Sequence, residues 1–440
     1  MHVRILCTFA AENVLMFGKI LNTFGTKMLV AVINLAIAIL ISQVLGDSGK
    51  GVQSLVLTNI SFILIFSEIV CGASLVYLTS RHSFSKLWLP SIIWAFLMAA
   101  FMGLIISFLT PGLDFLLAVH TAILSFVSSF ANIHFRVLIG REEVKKANAN
   151  TLLQPFMLLM TLAVYYLLLG KRDIYGYVLG LYVAYLSSSM LGFFQLREEY
   201  KKLQFYPLRD YGDTLKALFK YGFLNQTGHF VQFFNLRLNY YLLNAYVDTA
   251  HVGVYSNSVS LAESIWIISN SIALVQYGRI SNSTDTEYNQ KLTLNLCKLC
   301  FVVSLVAVAV LSLLPSSLYQ FIFGPDFGDM SHIIRLLAPG VLCYSIFLIL
   351  GHYYSGSGRY FMNTLAALCG LMVTLLGGFV LVPRMATTGA AITASLAYSL
   401  NAVFLLFCFL RESRFRPKDF MLTPSELKEY IVEIKNHYLK

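Results

Sequence analysis

Four ionisable residues sit deep inside apolar stretches of this chain: Lys27, Glu68, Arg237 and Glu263. A charge at the centre of a membrane helix costs on the order of 2.5–3.5 kcal/mol on insertion scales, so each needs a partner or a hydrated cavity. Two chemistries fit them. In the first, Lys27 and Arg237 bind an anionic headgroup, while Glu68 and Glu263 carry protons or other ions, or act as a gate. In the second, Lys27 with Glu68 and Arg237 with Glu263, which lie at similar depths, form structural ion pairs that relieve burial. Lys19, Arg136, Lys298 and Arg335 fall nearer segment ends, where a long side chain reaches the interface by snorkelling.

The neighbours of the two deep cations are polar too. At about 100° per residue, Asn225, His229, Gln232, Asn235 and Asn239 share one face of the segment that holds Arg237, with Gln226 and Asn244 beside them. Lys19, Asn22, Thr23, Thr26, Lys27 and Asn34 cluster within about 140° on the first segment. A lipid-facing helix would not carry such groups, because hydrocarbon gives them nothing to bond to. The candidate substrate-binding set is therefore Lys27, Arg237, Asn22, Asn34, Asn225, His229, Gln232 and Asn239. Glu68 and Glu263 are candidates for coupling to a proton or sodium gradient, or for gating.

Catalytic and metal chemistry find no footing. Gly46-Asp47-Ser48-Gly49-Lys50-Gly51 has the look of a phosphate loop, but Gly51 stands where Ser or Thr should follow the lysine. The seven cysteines are scattered, and Cys297 with Cys300 has no second pair to complete a zinc site. No Ser–His–Asp or paired-carboxylate spacing emerges, and His120, His134, His251 and His352 read as packing residues. No catalytic residue, metal or bound cofactor is expected, and the chain does not read as an enzyme.

The elements that must position these groups are membrane helices. Fifty-seven per cent of the residues are hydrophobic and 12% are charged, about half the charged share of a soluble domain. Apolar runs fall at roughly 18–44, 52–79, 88–109, 113–139, 149–169, 175–196, 218–246, 251–278, 292–314, 331–354, 362–383 and 388–410. That pattern predicts an all-α integral membrane protein of about twelve transmembrane helices. Met1 to Phe17 lacks a cleavable signal pattern, so the first span is expected to remain. Of the 32 Lys and Arg, 22 fall in the two tails and one alternate set of connections, against Lys50, Lys171, Arg172 and Arg384 on the other side. That bias predicts cytoplasmic termini and makes the net charge of +10 a matter of topology, not of nucleic-acid binding.

The two halves also echo each other. Leu21-Asn22 and Gly51-Val52 correspond in order and spacing to Leu224-Asn225 and Gly253-Val254. Gly176, Ala184-Tyr185 and Leu196-Arg197-Glu198 correspond likewise to Gly389, Ala397-Tyr398 and Leu410-Arg411-Glu412. The expectation is two parallel six-helix repeats with a site between them. Their bounds are 1–200 and 218–411, joined by a cytoplasmic linker at 201–217 and followed by a tail at 412–440. In the tail, Thr423-Pro424-Ser425-Glu426 opens a short amphipathic helix carrying Leu427, Tyr430, Ile431 and Ile434.

Val44-Leu45-Gly46, Gly51 and Gly72 in the first two spans resemble the polysaccharide-flippase branch of the multidrug/oligosaccharidyl-lipid/polysaccharide exporter superfamily. So do Leu336-Leu337-Ala338-Pro339, Val382-Pro383 and Thr388-Gly389-Ala390-Ala391. The resemblance runs from about Phe17 to Arg411. It implies a V-shaped pair of six-helix lobes working by alternating access in a bacterial inner membrane. Its implied cargo is an undecaprenyl-pyrophosphate-linked oligosaccharide, an O-antigen or similar repeat unit of polysaccharide and lipopolysaccharide biosynthesis. Membrane lipids and polysaccharide assembly enzymes would be its partners. The alternative within the same superfamily is an ion-coupled exporter of drugs or metabolites, which would favour an acid-dominated cavity.

Overall fold

The computed structural model describes residues 2–110 and 114–420, with side chains for 25–107, 110, 114–207, 209–416 and 418–420. The expected tail helix after Thr423 lies outside the described residues. Among those described, the secondary structure is helical throughout. Among the described residues, eight helices are long and apolar enough to cross a membrane. A ninth span results if the pair Thr249–Glu263 and Trp266–Ser281, bent by 41°, is taken as one. Large apolar side chains such as Leu168, Leu224, Leu313 and Phe321 stand fully outward from these helices. Hydrocarbon solvates such a surface and water does not.

Two of the long helices are broken from within. His2–Cys71 is interrupted at Gly46, whose φ of 68° and ψ of −168° suit a residue without Cβ. Phe361–Glu412 is interrupted at Ala386, with φ 49° and ψ −128°, three residues after Pro383. A left-handed alanine carries strain that glycine would not, so the surrounding chain must hold it there.

The chain divides into two compact units, each formed from separated stretches. The first comprises Met1–Asn257, Ser316–Met330 and Val382–Thr387. Ile33, Ile37 and Ile41 pack there with Val56, Ile60, Leu124, Leu162 and Tyr177. A second cluster joins Ile69, Leu75, Phe84, Ile133, Val137 and Leu218. The second unit comprises Ser258–Pro315, Ser331–Leu381 and Thr388–Lys440. Its centre is aromatic. The Trp266 ring lies 4.1 Å from that of Tyr344 and 5.3 Å from that of Tyr398, and its indole N–H donates to the Val341 carbonyl at 3.1 Å.

Within the first unit, the residues just past Gly46 meet the start of the Thr249–Glu263 helix, so the two Gly-Val pairs matched in the sequence touch. A Cβ on Gly51 would lie 1.8 Å from the Thr249 carbonyl oxygen, and one on Gly253 would lie 2.0 Å from the Asp47 carbonyl oxygen. One turn on, the Ser54 and Ser256 hydroxyls share a hydrogen bond of 2.7 Å. Asn257 Nδ2 donates to Ser42 Oγ at 2.7 Å, and Gln43 Nε2 donates to the carbonyls of Phe321 and Ile322 at 3.0 and 2.9 Å. Small residues at a contact let backbones approach, which is how membrane helices gain packing where the hydrophobic effect gives no preference.

This contact yields a direct test. Gly51→Ala and Gly253→Ala should each lower the thermal unfolding temperature of the purified protein, since forced overpacking costs about 1–3 kcal/mol. Gly278→Ala, whose Cβ meets open space, should be neutral or stabilising by about 0.5–1 kcal/mol. Unchanged melting of both crowded variants would refute the packing.

Candidate functional site

The Gly212–Tyr246 helix carries most of the polar candidates. It packs along the Gly25–Thr79 stretch through rings: Phe62 lies 5.6 Å from Phe233 and 5.8 Å from Phe234, and Phe66 lies 5.8 Å from Phe230. Polar contacts bracket these aromatics. Toward Tyr246, the Tyr241 hydroxyl donates to Asn59 Oδ1 at 2.9 Å. Toward Gly212, a Cβ on Gly222 would come within 1.6 Å of the Ile69 carbonyl oxygen. Only a glycine lets the helices close there.

That closure assembles a cluster on Glu68. Arg136 Nη2 lies 3.0 Å from Glu68 Oε1, with both side chains mostly buried. Gln226 Nε2 donates to Glu68 Oε2 at 3.4 Å. Gly72 leaves room for this amide, since a Cβ there would stand 3.2 Å from Gln226 Nε2 and 2.4 Å from the Glu68 carbonyl oxygen. Arg136 Nε remains buried without a hydrogen-bond partner. The cluster therefore holds one cation, one anion, an amide and a spare donor, a set suited to exchanging partners with an anionic group.

The partner of Glu68 differs from the one matched by depth in the sequence. Lys27 is exposed and makes no ion pair among the described residues. Arg136 was expected to snorkel outward from its span end; instead it turns back to the carboxylate. The Phe115–Gly140 helix runs beside 47–71, with Ser129 Oγ donating to Ser67 Oγ at 3.0 Å. From there a guanidinium seven residues on, about two turns along the same face, reaches Glu68. Depth counted along separate spans does not show which spans are adjacent.

The other candidates are distributed as follows. Asn34, Asn225 and His229 are exposed, Gln232 and Arg237 are half-buried, and Asn239 is buried. Arg237 Nη1 donates to the Leu236 carbonyl at 3.2 Å, and its guanidinium stands 5.5 Å from the Tyr240 ring centroid. Asn239 Nδ2 faces the Tyr255 hydroxyl at 3.4 Å. The side chain of Asn22 lies outside the described residues. In the second unit, half-buried Glu263 accepts a hydrogen bond from the Tyr398 hydroxyl at 3.1 Å.

Sequence reasoning passed over Asn59 and Tyr241, and it set Arg136 aside as a snorkelling residue. The signal for Arg136 was its position four residues before Gly140, close enough to a span end for a cheaper explanation to suffice. Gln226 was noticed, but only as a neighbour of the main polar face.

The family of sequences described as "Lipid II flippase MurJ" matches residues 80–432. No curated protein sequence matches the chain. Among solved structures, a lipid II flippase MurJ in an inward closed conformation superimposes with a TM-score of 0.71 at 15% identity, covering 90% of this chain and 88% of that one. An inward-facing multidrug resistance MATE family transporter of the MOP superfamily gives 0.67 at 13% identity, covering 87% and 94%. A point mutant of the Vibrio cholerae MATE transporter VcmN gives 0.62 at 10% identity, covering 92% and 98%. At these identities the structural likeness speaks for the fold.

The Glu68 cluster makes its own prediction. Glu68→Ala and Arg136→Ala should each destabilise the protein by about 1–3 kcal/mol, because each strands a mostly buried charge. The double variant should fall short of the sum of the two. Thermal unfolding of all three in one detergent decides it, and strict additivity would show that the pair is not coupled.

Proposed function

Because the chain belongs to the MurJ lipid II flippase family, and so is a multi-pass membrane transporter and not an enzyme, we propose that it flips a polyprenyl-pyrophosphate-linked saccharide across the bacterial inner membrane. The observation that carries this reading is the family match over residues 80–432. The polar, cationic Gly212–Tyr246 helix supports it, since a pyrophosphate with sugars needs cations and amides while the lipid tail stays in the bilayer. Lys27 and Arg237 are the proposed headgroup cations, assisted by Asn22, Asn34, Asn225, His229, Gln232 and Asn239. Glu68 and Glu263 are the proposed coupling or gating acids, with a proton or sodium gradient as the drive.

The proposed architecture has about twelve spans in two six-helix repeats working by alternating access. To the eight apolar helices and the bent pair it adds the breaks at Gly46 and Ala386 and the polar Gly212–Tyr246 helix. The halves are 1–200 and 218–411, with linker 201–217, tail 412–440 and both termini in the cytoplasm. In this reading the lobes follow the order of spans along the chain, whereas the compact units follow packing.

The cargo proposed from the sequence is an O-antigen or similar repeat unit on undecaprenyl pyrophosphate. Lipid II is the second reading, favoured by the family match. Both share the pyrophosphate that the cations would bind. Mass spectrometry of lipid-linked intermediates in cells depleted of the protein separates them. A single polysaccharide repeat unit should accumulate under the first reading, and lipid II under the second. If neither rises, the flippase reading fails and the ion-coupled exporter takes its place. Lys27→Ala and Arg237→Ala should each reduce flipping by roughly tenfold, as loss of a charge-assisted contact implies, with normal membrane insertion. Wild-type flipping by both variants would remove these residues from the headgroup site.

A further inference from the structure

The stretch between the Tyr175–Gln195 and Gly212–Tyr246 helices, expected to be a plain linker, is held along the first unit. Tyr200 is its main anchor. The Trp88 indole N–H donates to the Tyr200 hydroxyl at 2.8 Å, and His134 Nε2 lies 2.6 Å from the same oxygen. The Tyr200 ring packs on those of Phe84 at 5.2 Å and Phe193 at 4.6 Å. Further along, Leu203 packs against the apolar cluster around Leu75 and Val137. The Gln204 backbone N–H donates to Ser85 Oγ at 3.0 Å, and Lys86 Nζ stands 5.2 Å from the Tyr206 ring centroid.

These contacts fix the depth of the stretch. Ser85, Lys86 and Trp88 belong to the first two turns of a helix that is apolar enough to cross a membrane from Phe84 to Ser107. A chain tied to the opening turns of a span lies where hydrocarbon gives way to headgroups. At this level Phe205 is 70% exposed, while Gln204 before it and Tyr206 after it are engaged with Ser85 and Lys86. An aromatic ring held outward at the interface is placed to enter the acyl boundary.

Charge narrows the partner. Residues 201–220 carry Lys201, Lys202, Arg209, Lys216 and Lys220 against Asp210 and Asp213. The acids just before them are engaged, Glu198 with Lys201 at 2.9 Å and Glu199 with Arg141 at 2.7 Å. Lys202, Arg209, Lys216 and Lys220 are exposed and make no ion pair among the described residues. Water would solvate the cations alone, and a neutral bilayer would take the ring alone; an anionic bilayer surface takes both. We propose that residues 201–220 are a docking surface for anionic phospholipid, with Phe205 entering the acyl boundary and Lys202 and Arg209 pairing with headgroup phosphates. An acidic protein would meet the cations but leave Phe205 without a partner at the level of the lipid. The stretch runs straight into the Gly212–Tyr246 helix, so this contact pins the start of the helix that carries most of the polar candidates. It stands whether or not the flippase reading does.

The test uses the full-length protein purified in a neutral detergent. Thermal unfolding is followed while phosphatidylglycerol, phosphatidylcholine with the same acyl chains, or inorganic phosphate is added. Phosphatidylglycerol should stabilise at concentrations roughly tenfold below phosphatidylcholine, and high salt should close that gap. Lys202→Gln and Arg209→Gln together should remove most of the preference. Phe205→Ser, which leaves the charge unchanged, should weaken stabilisation by both lipids and keep the preference. Equal stabilisation by the two lipids overturns the proposal on the wild-type protein alone, however the variants fold. So does a preference that survives loss of both cations, or full stabilisation of Phe205→Ser by either lipid. Inorganic phosphate acting as well as the lipid also overturns it, because binding would then owe nothing to the bilayer.

Discussion

Hydrocarbon neither donates nor accepts hydrogen bonds, and that single constraint organises most of what is polar in this protein. Backbone groups meet it by helix formation, which is why the described secondary structure is helical throughout. Side chains meet it by finding one another across helices. Around Glu68 this took a guanidinium from one helix, an amide from another and two glycines, Gly72 and Gly222, that bring the helices close enough. Around Glu263 it took Tyr398, which is itself set by the Trp266 and Tyr344 rings. In each case the acid is held by a group whose position depends on packing some distance away.

The same constraint explains why the helices were easy to read and the contacts hard. Apolar runs long enough to span are a property of consecutive residues, so spans such as Phe84–Ser107 and Met330–Gly356 are legible directly. The break at Gly46 is legible too, because Gly46-Asp47-Ser48-Gly49 reads as a turn and glycine tolerates a positive φ. The break at Ala386 is displaced from Pro383, the residue that announces it, onto an alanine that no local rule would choose. Arg136 was misjudged for a related reason. Its distance from a span end is a fact of sequence, while its distance from Glu68 depends on which spans are neighbours.

Glycine shows the limit from the other side. Gly51 and Gly253 stood out because they recur at matching places in the two halves. Their backbone contact is a consequence of missing atoms, which leave no trace in hydropathy or charge. Gly278 looks the same in sequence and meets open space. What separates the two kinds is whether a second helix lies against the missing Cβ.

Stability alone gives a poor account of why charge is kept here. A buried ion pair contributes little net stability, and apolar side chains of similar size would serve a rigid bundle as well or better. Arg136 and Glu68 are also imperfectly matched: one contact at 3.0 Å is direct, the Gln226 contact is long, and Arg136 Nε is left without a partner. A static scaffold gains nothing from an arrangement with donors to spare. A cation half-committed to its acid is released at lower cost than one held by a full set of bonds. The incomplete bonding of this cluster, more than the presence of charge, is what sets it apart from a fully satisfied structural ion pair.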